Sequence, residues 1–187
     1  MSSYLDRIGA GLILSRPEVF GFDFVPELLV GREEIQSELA AILGSIAHPE
    51  GTGRVVITGP VGSGKTVLAK RFCQDIIRHL SDKRNIKRVH VNCRNAATPS
   101  RVMQKIVQDL DPGHPDRGLG VGELLTSLRR MLHSSNTHLI VILDEVDHLL
   151  RRSGDDIIYK LMRIDEDRDG VGTLSTIMIS QEPVSYT

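Results

Sequence analysis

The sequence predicts an α/β fold in which a mostly parallel β-sheet lies between two layers of helices. Three observations support this three-layer αβα arrangement. Strand patterns alternate with helix patterns, a glycine-rich loop connects the first strand to a helix, and the most apolar strand ends in two acidic residues. Strands that alternate with helices form parallel sheets covered on both faces, and ligands bind at the carboxyl ends of those strands.

The first half of the predicted fold alternates helices and strands. Apolar residues recur at helical spacing over residues 32–46, and a proline and a glycine then end that helix. Residues 54–58 are a β-branched run before glycines, which predicts a buried strand. A helix over residues 64–80 and a strand over residues 87–92 follow. Thr98 is the predicted N-cap of the next helix, with Pro99 in its first position.

The second half continues the alternation. Residues 111–118 are rich in proline, glycine and aspartate, which predicts a loop. Leucines at helical spacing predict a helix over residues 124–132, and residues 138–143 form the most apolar strand. A last helix is predicted over residues 157–162 and a last strand over residues 174–180.

The composition is that of a globular domain, with 40% hydrophobic and 25% charged residues in a chain of 187. A net charge of −1 and a pI near 6.7 argue against a basic nucleic-acid-binding surface over the whole domain. No apolar run reaches the roughly 18–20 residues that cross a bilayer, so no membrane partner is expected. The two cysteines, Cys73 and Cys93, are predicted to be buried free thiols.

The most specific motif is a phosphate-binding loop between a strand and a helix. Its glycines let backbone N–H groups approach phosphate oxygens, and the following helix adds the positive end of its dipole. Lys65 is expected to contact the β- and γ-phosphates, and the Thr66 hydroxyl to bind Mg²⁺. The predicted nucleotide contacts are Gly59, Pro60, Val61, Gly62, Ser63, Gly64, Lys65 and Thr66.

A second candidate site is the acidic pair Asp144 and Glu145, which directly follows the most apolar strand. Charges at the end of a buried strand are costly unless they reach solvent or have a function. Beside a phosphate loop, Asp144 is predicted to hold Mg²⁺ and Glu145 to act as the general base that activates water. The chain lacks the Asn-Lys-x-Asp motif of GTPases, so an ATPase is favoured.

Residues 165–170, Asp-Glu-Asp-Arg-Asp-Gly, match the first half of a calcium-binding loop. The bidentate glutamate that such a loop needs at its twelfth position would fall at Thr176, inside a predicted strand. We therefore interpret this segment as an acidic turn.

Five segments together are more specific than any one motif. They are PELLVGREE at residues 26–34, the phosphate loop, VNCR at 91–94, ILDEVDHLL at 142–150 and YKLMR at 159–163. In combination they resemble the AAA+ ATPases of the replication-initiator group, the origin-recognition-complex and Cdc-type initiators, most of all the archaeal ones. The resemblance extends from about Phe20 to Gln181.

The resemblance implies further contacts with the nucleotide. Leu29, Val30 and Arg32 lie where the family contacts adenine, and ATP or ADP with Mg²⁺ is the expected ligand. Gln181 lies at the sensor-1 position, which is usually asparagine in the family. The expected catalytic residues are thus Glu145, Lys65 and Gln181.

The resemblance also implies a contact with DNA. Residues 98–121 lie where initiators carry a helical insertion that contacts the DNA backbone. Arg117, Gly118 and Gly120 are the candidates in this chain, and a surface loop without a DNA contact fits them equally well.

The expected organisation is an N-terminal extension over residues 1–25 and an AAA+ core over residues 26–187. The family's arginine finger, helical lid and winged-helix domain are absent, so we expect a piece of a larger protein with nearly no ATP hydrolysis by itself.

The expected function is a replication initiator that uses ATP to switch origin DNA binding and helicase loading. Double-stranded origin DNA, the replicative helicase and other initiator subunits are the expected partners. The expected location is the cytoplasm at the nucleoid, or the nucleus of a eukaryote. A signal-transduction or chaperone-like AAA+ ATPase without DNA specificity is the alternative.

Overall fold

The computed structural model describes residue 21 and residues 24–115, 118–164 and 172–181. The strands span Arg54–Thr58 (β1), Asn85–Asn92 (β2), Thr137–Asp144 (β3) and Leu174–Ser180 (β4). The helices span Glu33–Leu43 (α1), Lys65–His79 (α2), Pro99–Leu110 (α3), Val121–Ser134 (α4), Val146–Ser153 (α5) and Asp156–Met162 (α6).

The strands form one parallel sheet in the order β1-β4-β3-β2. The last strand along the chain therefore lies between the strand that precedes the phosphate loop and the strand that ends in the acidic pair. Ser180 is in register with Thr58, and Asp144 is in register with Asn92. Because all four strands point the same way, their polar terminal residues meet at one edge of the sheet.

The sheet separates two hydrophobic cores, which confirms the predicted three-layer architecture. One core joins α3, α4, α5 and α6 to the face that carries Leu139, Val141 and Leu143. The other joins α1 and α2 to the face that carries Ile140 and Ile142. Every residue of β3 is buried, as expected for a strand covered on both faces.

Two predictions about single elements differ from the structure. Strand β1 is not buried along its length, because within the described residues it pairs only with β4 and forms an edge of the sheet. Val56, in its middle, is 42% exposed. Helix α5 was not predicted, although Val146, Leu149 and Leu150 have helical spacing.

Other local predictions are confirmed. The Thr98 hydroxyl oxygen accepts a hydrogen bond from the Arg101 N–H at 3.4 Å and caps α3, with Pro99 as its first residue. Cys73 and Cys93 are buried free thiols, and desolvation raises the pKa of each to about 12. Across the described part of the chain, no helix is long and apolar enough to span a bilayer. The acidic segment 165–170 and Arg117 lie outside the described residues.

Candidate nucleotide-binding site

The phosphate-binding loop connects β1 to the first turn of α2. Gly62 and Gly64 have φ angles of 78° and 82°, a left-handed conformation that favours glycine. The Lys65 ammonium donates hydrogen bonds to the carbonyl oxygens of Gly59 at 2.6 Å and Pro60 at 2.7 Å. The loop backbone therefore surrounds the Lys65 ammonium group. When a nucleotide binds, this group can release the two carbonyl oxygens and contact phosphate oxygens instead. The first N–H groups of α2 lack partners inside the helix and point the same way as its dipole.

Asp144 lies directly across from Thr66, so the two predicted metal ligands are neighbours. The Thr66 hydroxyl donates to Asp144 Oδ2 at 2.9 Å, and the Glu145 N–H donates to Asp144 Oδ1 at 3.0 Å. Burial alone would raise the pKa of Asp144, but hydrogen bonds from His90 and Thr66 hold that pKa below its usual value of 3.8. The carboxylate is thus ionised near neutral pH. An ionised carboxylate beside a hydroxyl is an oxygen donor set that fits Mg²⁺.

Glu145 adopts a backbone conformation that its sequence did not predict. Its φ of 52° and ψ of 44° are left-handed, which costs a non-glycine residue about 1–2 kcal/mol. Its Oε2 is buried and makes no hydrogen bond to any other described residue. His148 Nε2 lies 3.7 Å from that oxygen, one helical turn further along. Strain and a buried carboxylate oxygen without a hydrogen bond are typical of functional positions, and here they coincide with the predicted general base.

Gln181 lies at the tip of β4, between the two motifs. Its backbone N–H donates to Asp147 Oδ1 at 3.3 Å. Burial opposes ionisation of Asp147, but hydrogen bonds from Ser180 and from backbone N–H groups, including that of Gln181, lower its pKa. Asp147 therefore connects the tip of β4 to the first turn of α5. No motif in the sequence identifies Asp147, although it follows Glu145 by two residues.

A cavity of about 350 Å³ brings these groups together. Its walls come from the phosphate loop, the acidic pair and the tip of β4. The described lining residues are Val61, Gly62, Ser63, Gly64, Lys65, Thr66, Val67, Asp144, Glu145, Ile179, Ser180 and Gln181. The three predicted catalytic residues thus share one cavity with both predicted metal ligands.

The three predicted adenine contacts lie in different environments. The Arg32 guanidinium donates to the Ser63 carbonyl at 2.6 Å, so it is attached to the phosphate loop. Leu29 packs against the core between α1 and α2, whereas Val30 is 83% exposed. Arg32 also borders a second cavity of about 370 Å³ between α1 and β1. Ser63 and Lys65 line both cavities.

The predicted DNA-contacting segment, residues 98–121, extends from the N-cap of α3 to the first residue of α4. Gly118 and Gly120 are exposed, and Gly118 has a φ of 90°. The Gly120 N–H donates to Glu123 Oε2 at 2.7 Å, which stabilises the start of α4. Gly120 therefore has a structural role in this turn that is independent of any DNA contact.

Comparison with known proteins identifies one family. The model of the AAA domain matches residues 48–184. The ORC1-type DNA replication protein 1 of Sulfolobus acidocaldarius is 30% identical over 167 residues, covering 89% of this chain and 42% of that protein. The ORC1-type DNA replication protein 2 of Saccharolobus solfataricus is 33% identical over 177 residues, covering 91% of this chain and 43% of that protein.

Solved structures agree with the sequence comparison. The Aeropyrum pernix ORC1 protein, solved in complex with DNA, has a TM-score of 0.76 and 28% identity, covering 89% of this chain and 43% of that chain. The Aeropyrum pernix ORC2 protein, solved as ADPNP and ADP complexes, has a TM-score of 0.79 and 26% identity. The match covers 89% of this chain and 45% of that chain. The chain thus spans less than half the length of these relatives. Its phosphate loop, acidic pair and parallel sheet are those of a P-loop ATPase fold, and the chain belongs to the AAA domain family, with similarity to ORC1-type replication proteins.

Proposed function

We propose that this chain is the ATP-binding core of a DNA replication initiator. In this proposal ATP binding and hydrolysis switch origin DNA binding and helicase loading. The observation that carries the nucleotide part is the shared cavity, which places Lys65, Asp144, Glu145 and Gln181 around one volume. The similarity to ORC1-type DNA replication proteins supports the replication part.

The residues of the cavity have separate roles in the proposed reaction. The loop N–H groups and Lys65 would bind the phosphates, and Thr66 with Asp144 would hold Mg²⁺. The cation would neutralise charge that develops on the phosphate oxygens during transfer. Glu145 would take a proton from the attacking water, and the Gln181 amide would orient that water or the γ-phosphate. Arg32, Leu29 and Val30 would contact the base from the side of α1.

Titration of the protein with fluorescent ADP and ATP, with and without Mg²⁺, tests the nucleotide part. Saturable binding that unlabelled ATP displaces is expected. If neither nucleotide binds at any accessible concentration, the proposed nucleotide site is wrong.

DNA binding is the second part of the proposal, and it concerns the whole protein. The partners would be double-stranded origin DNA, other initiator subunits and the replicative helicase. Titrating the intact protein with origin and random duplexes, in ATP and in ADP, tests it. Absence of DNA binding in every nucleotide state would favour the alternative, which is an AAA+ ATPase that acts in signalling or as a chaperone. The similarity to proteins named as DNA replication proteins does not favour this alternative.

We also infer that hydrolysis by this chain alone is very slow. The described residues that line the catalytic cavity include no arginine. An arginine finger accelerates related reactions by roughly 10³–10⁵-fold, whether it comes from the same chain or from a neighbour. Robust steady-state turnover by the purified chain would contradict this inference.

A further inference from the structure

His90 contacts the predicted metal site, although no motif identified it. Its Nε2 lies 3.2 Å from Asp144 Oδ2. The same carboxylate oxygen accepts the Thr66 hydroxyl at 2.9 Å. A hydroxyl oxygen and an imidazole nitrogen therefore both contact the same carboxylate oxygen beside the phosphate loop.

The fold explains why a residue on β2 reaches this point. Val89 and Val91 on β2 are buried in the core formed with α3 to α6. Because side chains alternate along a strand, His90 faces the opposite side of the sheet, where α2 carries Thr66. Asn92, the next residue with the same orientation, is in register with Asp144. His90 therefore lies two residues before the position on β2 that pairs with Asp144.

The separations also match those of neighbouring metal ligands. In an octahedral site with bonds of about 2.1 Å, adjacent ligand atoms lie about 3.0 Å apart. The Thr66 and His90 atoms lie 2.9 Å and 3.2 Å from Asp144 Oδ2. The same two distances also fit hydrogen bonds, so the arrangement admits two roles for His90: a metal ligand, or a residue that only positions Asp144.

We propose that His90 is a ligand of the cation at this nucleotide site and shifts its preference from Mg²⁺ toward later first-row cations such as Co²⁺. Mg²⁺ takes oxygen ligands, whereas imidazole nitrogen binds Co²⁺, Ni²⁺ and Zn²⁺ more strongly. A site with only Thr66 and Asp144 would lack this contribution from imidazole nitrogen. This inference rests on the proposed nucleotide site and adds a specificity-determining residue to it.

The test measures ADP affinity with Co²⁺ and with Mg²⁺, in the unmodified protein and in His90→Phe. The ratio of the two affinities is expected to fall about tenfold or more in the variant, the size typical of lost metal-site residues. The Co²⁺ complex of the unmodified protein should also show a paramagnetically shifted imidazole N–H resonance in its proton NMR spectrum. His90→Phe should lack that resonance.

Two further variants separate the possible outcomes. His79→Phe changes an exposed histidine at the end of α2 and should leave both the ratio and the resonance unchanged. His90→Gln can still donate a hydrogen bond to Asp144, so if it keeps the metal preference, His90 only positions the carboxylate and the proposal is wrong. If a folded His90→Phe protein keeps the same ratio of ADP affinities with Co²⁺ and Mg²⁺, the proposal is also wrong. If the unmodified protein binds no ADP with either cation, the nucleotide site itself fails and this inference with it.

Discussion

The two ends of the sheet both contain polar groups in a largely apolar setting, yet they are organised differently. At the amino end, Arg84 donates to the backbone carbonyls of Ile46, His48, Pro49 and Gly51 and to the Thr173 hydroxyl. Thr173 in turn lies 2.6 Å from His138 Nδ1. At the carboxyl end, Lys65 bonds its own loop, Glu145 is in a left-handed conformation and its Oε2 has no hydrogen-bond partner among the described residues.

The difference separates a polar cluster that stabilises the fold from one that we propose binds a ligand. Arg84 uses its fork of donors to fasten the loop after α1 to the sheet, so its partners are fixed within the protein. The groups at the carboxyl end keep capacity for a ligand and carry local strain. Substitutions at the amino end should therefore reduce stability, and those at the carboxyl end should reduce binding or turnover. The predictions that follow test this division, from the largest expected effect to the smallest.

Glu145→Gln should lower single-turnover ATP hydrolysis by roughly 10²–10⁴-fold, the contribution of a general base. The amide keeps the size of the side chain but cannot take a proton. ATP affinity should remain within about threefold of the unmodified protein, because no phosphate contact is assigned to Glu145. Unchanged hydrolysis in this variant would remove Glu145 from the catalytic role.

Lys65→Ala should weaken ATP binding about a hundredfold, since it removes the only lysine among the described residues that line the cavity. Its free energy of unfolding should change by less than about 1 kcal/mol, because Lys65 bonds a solvent-accessible loop. Nucleotide titration and urea denaturation measure the two quantities. Lys83→Ala, in an exposed turn, is the matched control and should change neither.

Arg84→Met should lower the free energy of unfolding by about 2 kcal/mol, because several carbonyls lose a charged donor. ATP affinity should stay within about twofold, since Arg84 lies at the opposite end of the sheet from the cavity. Arg78 is the control position because its side chain is 75% exposed. Arg78→Met should change the free energy of unfolding much less than Arg84→Met does. A large loss of ATP affinity in Arg84→Met would show that the two ends are coupled.

The amino end should also respond to acid. Desolvation, followed by the nearby Arg84 charge, lowers the pKa of His138 from 6.5 to about 3. Between these values the unfolded chain binds a proton that the folded chain does not, so stability falls as pH decreases from about 6.5 toward 3. The slope approaches about 1.4 kcal/mol per pH unit. His138→Phe should flatten the stability curve between about pH 6 and 4.5, above the range where Asp144 and Asp147 protonate.

Local patterns identified most of the residues that lie together at the carboxyl end. The phosphate loop and the acidic pair identified Lys65, Thr66, Asp144 and Glu145, and the family resemblance placed Gln181 between them. Their side chains meet as expected because parallel strands bring their carboxyl ends to one edge. The left-handed turn at Glu145 had no local signal, since its residue type does not favour that conformation.

The contacts of Arg84 at the amino end were not predicted. Arg84 reaches carbonyls 33 to 38 residues earlier and a hydroxyl 89 residues later, and no spacing rule in the sequence encodes such contacts. The position of β1 at the edge of the sheet, as far as the described residues show it, was missed for the same reason, because strand order depends on which distant segments pair. His90 also had no motif, and only the register of β2 against β3 brings it near Asp144.

The hydrogen bond from the Gln181 N–H to Asp147 has a consequence for dynamics. The tip of β4 cannot separate from the sheet edge without breaking a contact with the first turn of α5. The two segments should therefore open together as one cooperative unit in native-state hydrogen exchange. In Asp147→Ala the Gln181 amide should exchange faster and independently of α5, so that the proposed sensor residue would fluctuate while Glu145 stays in place.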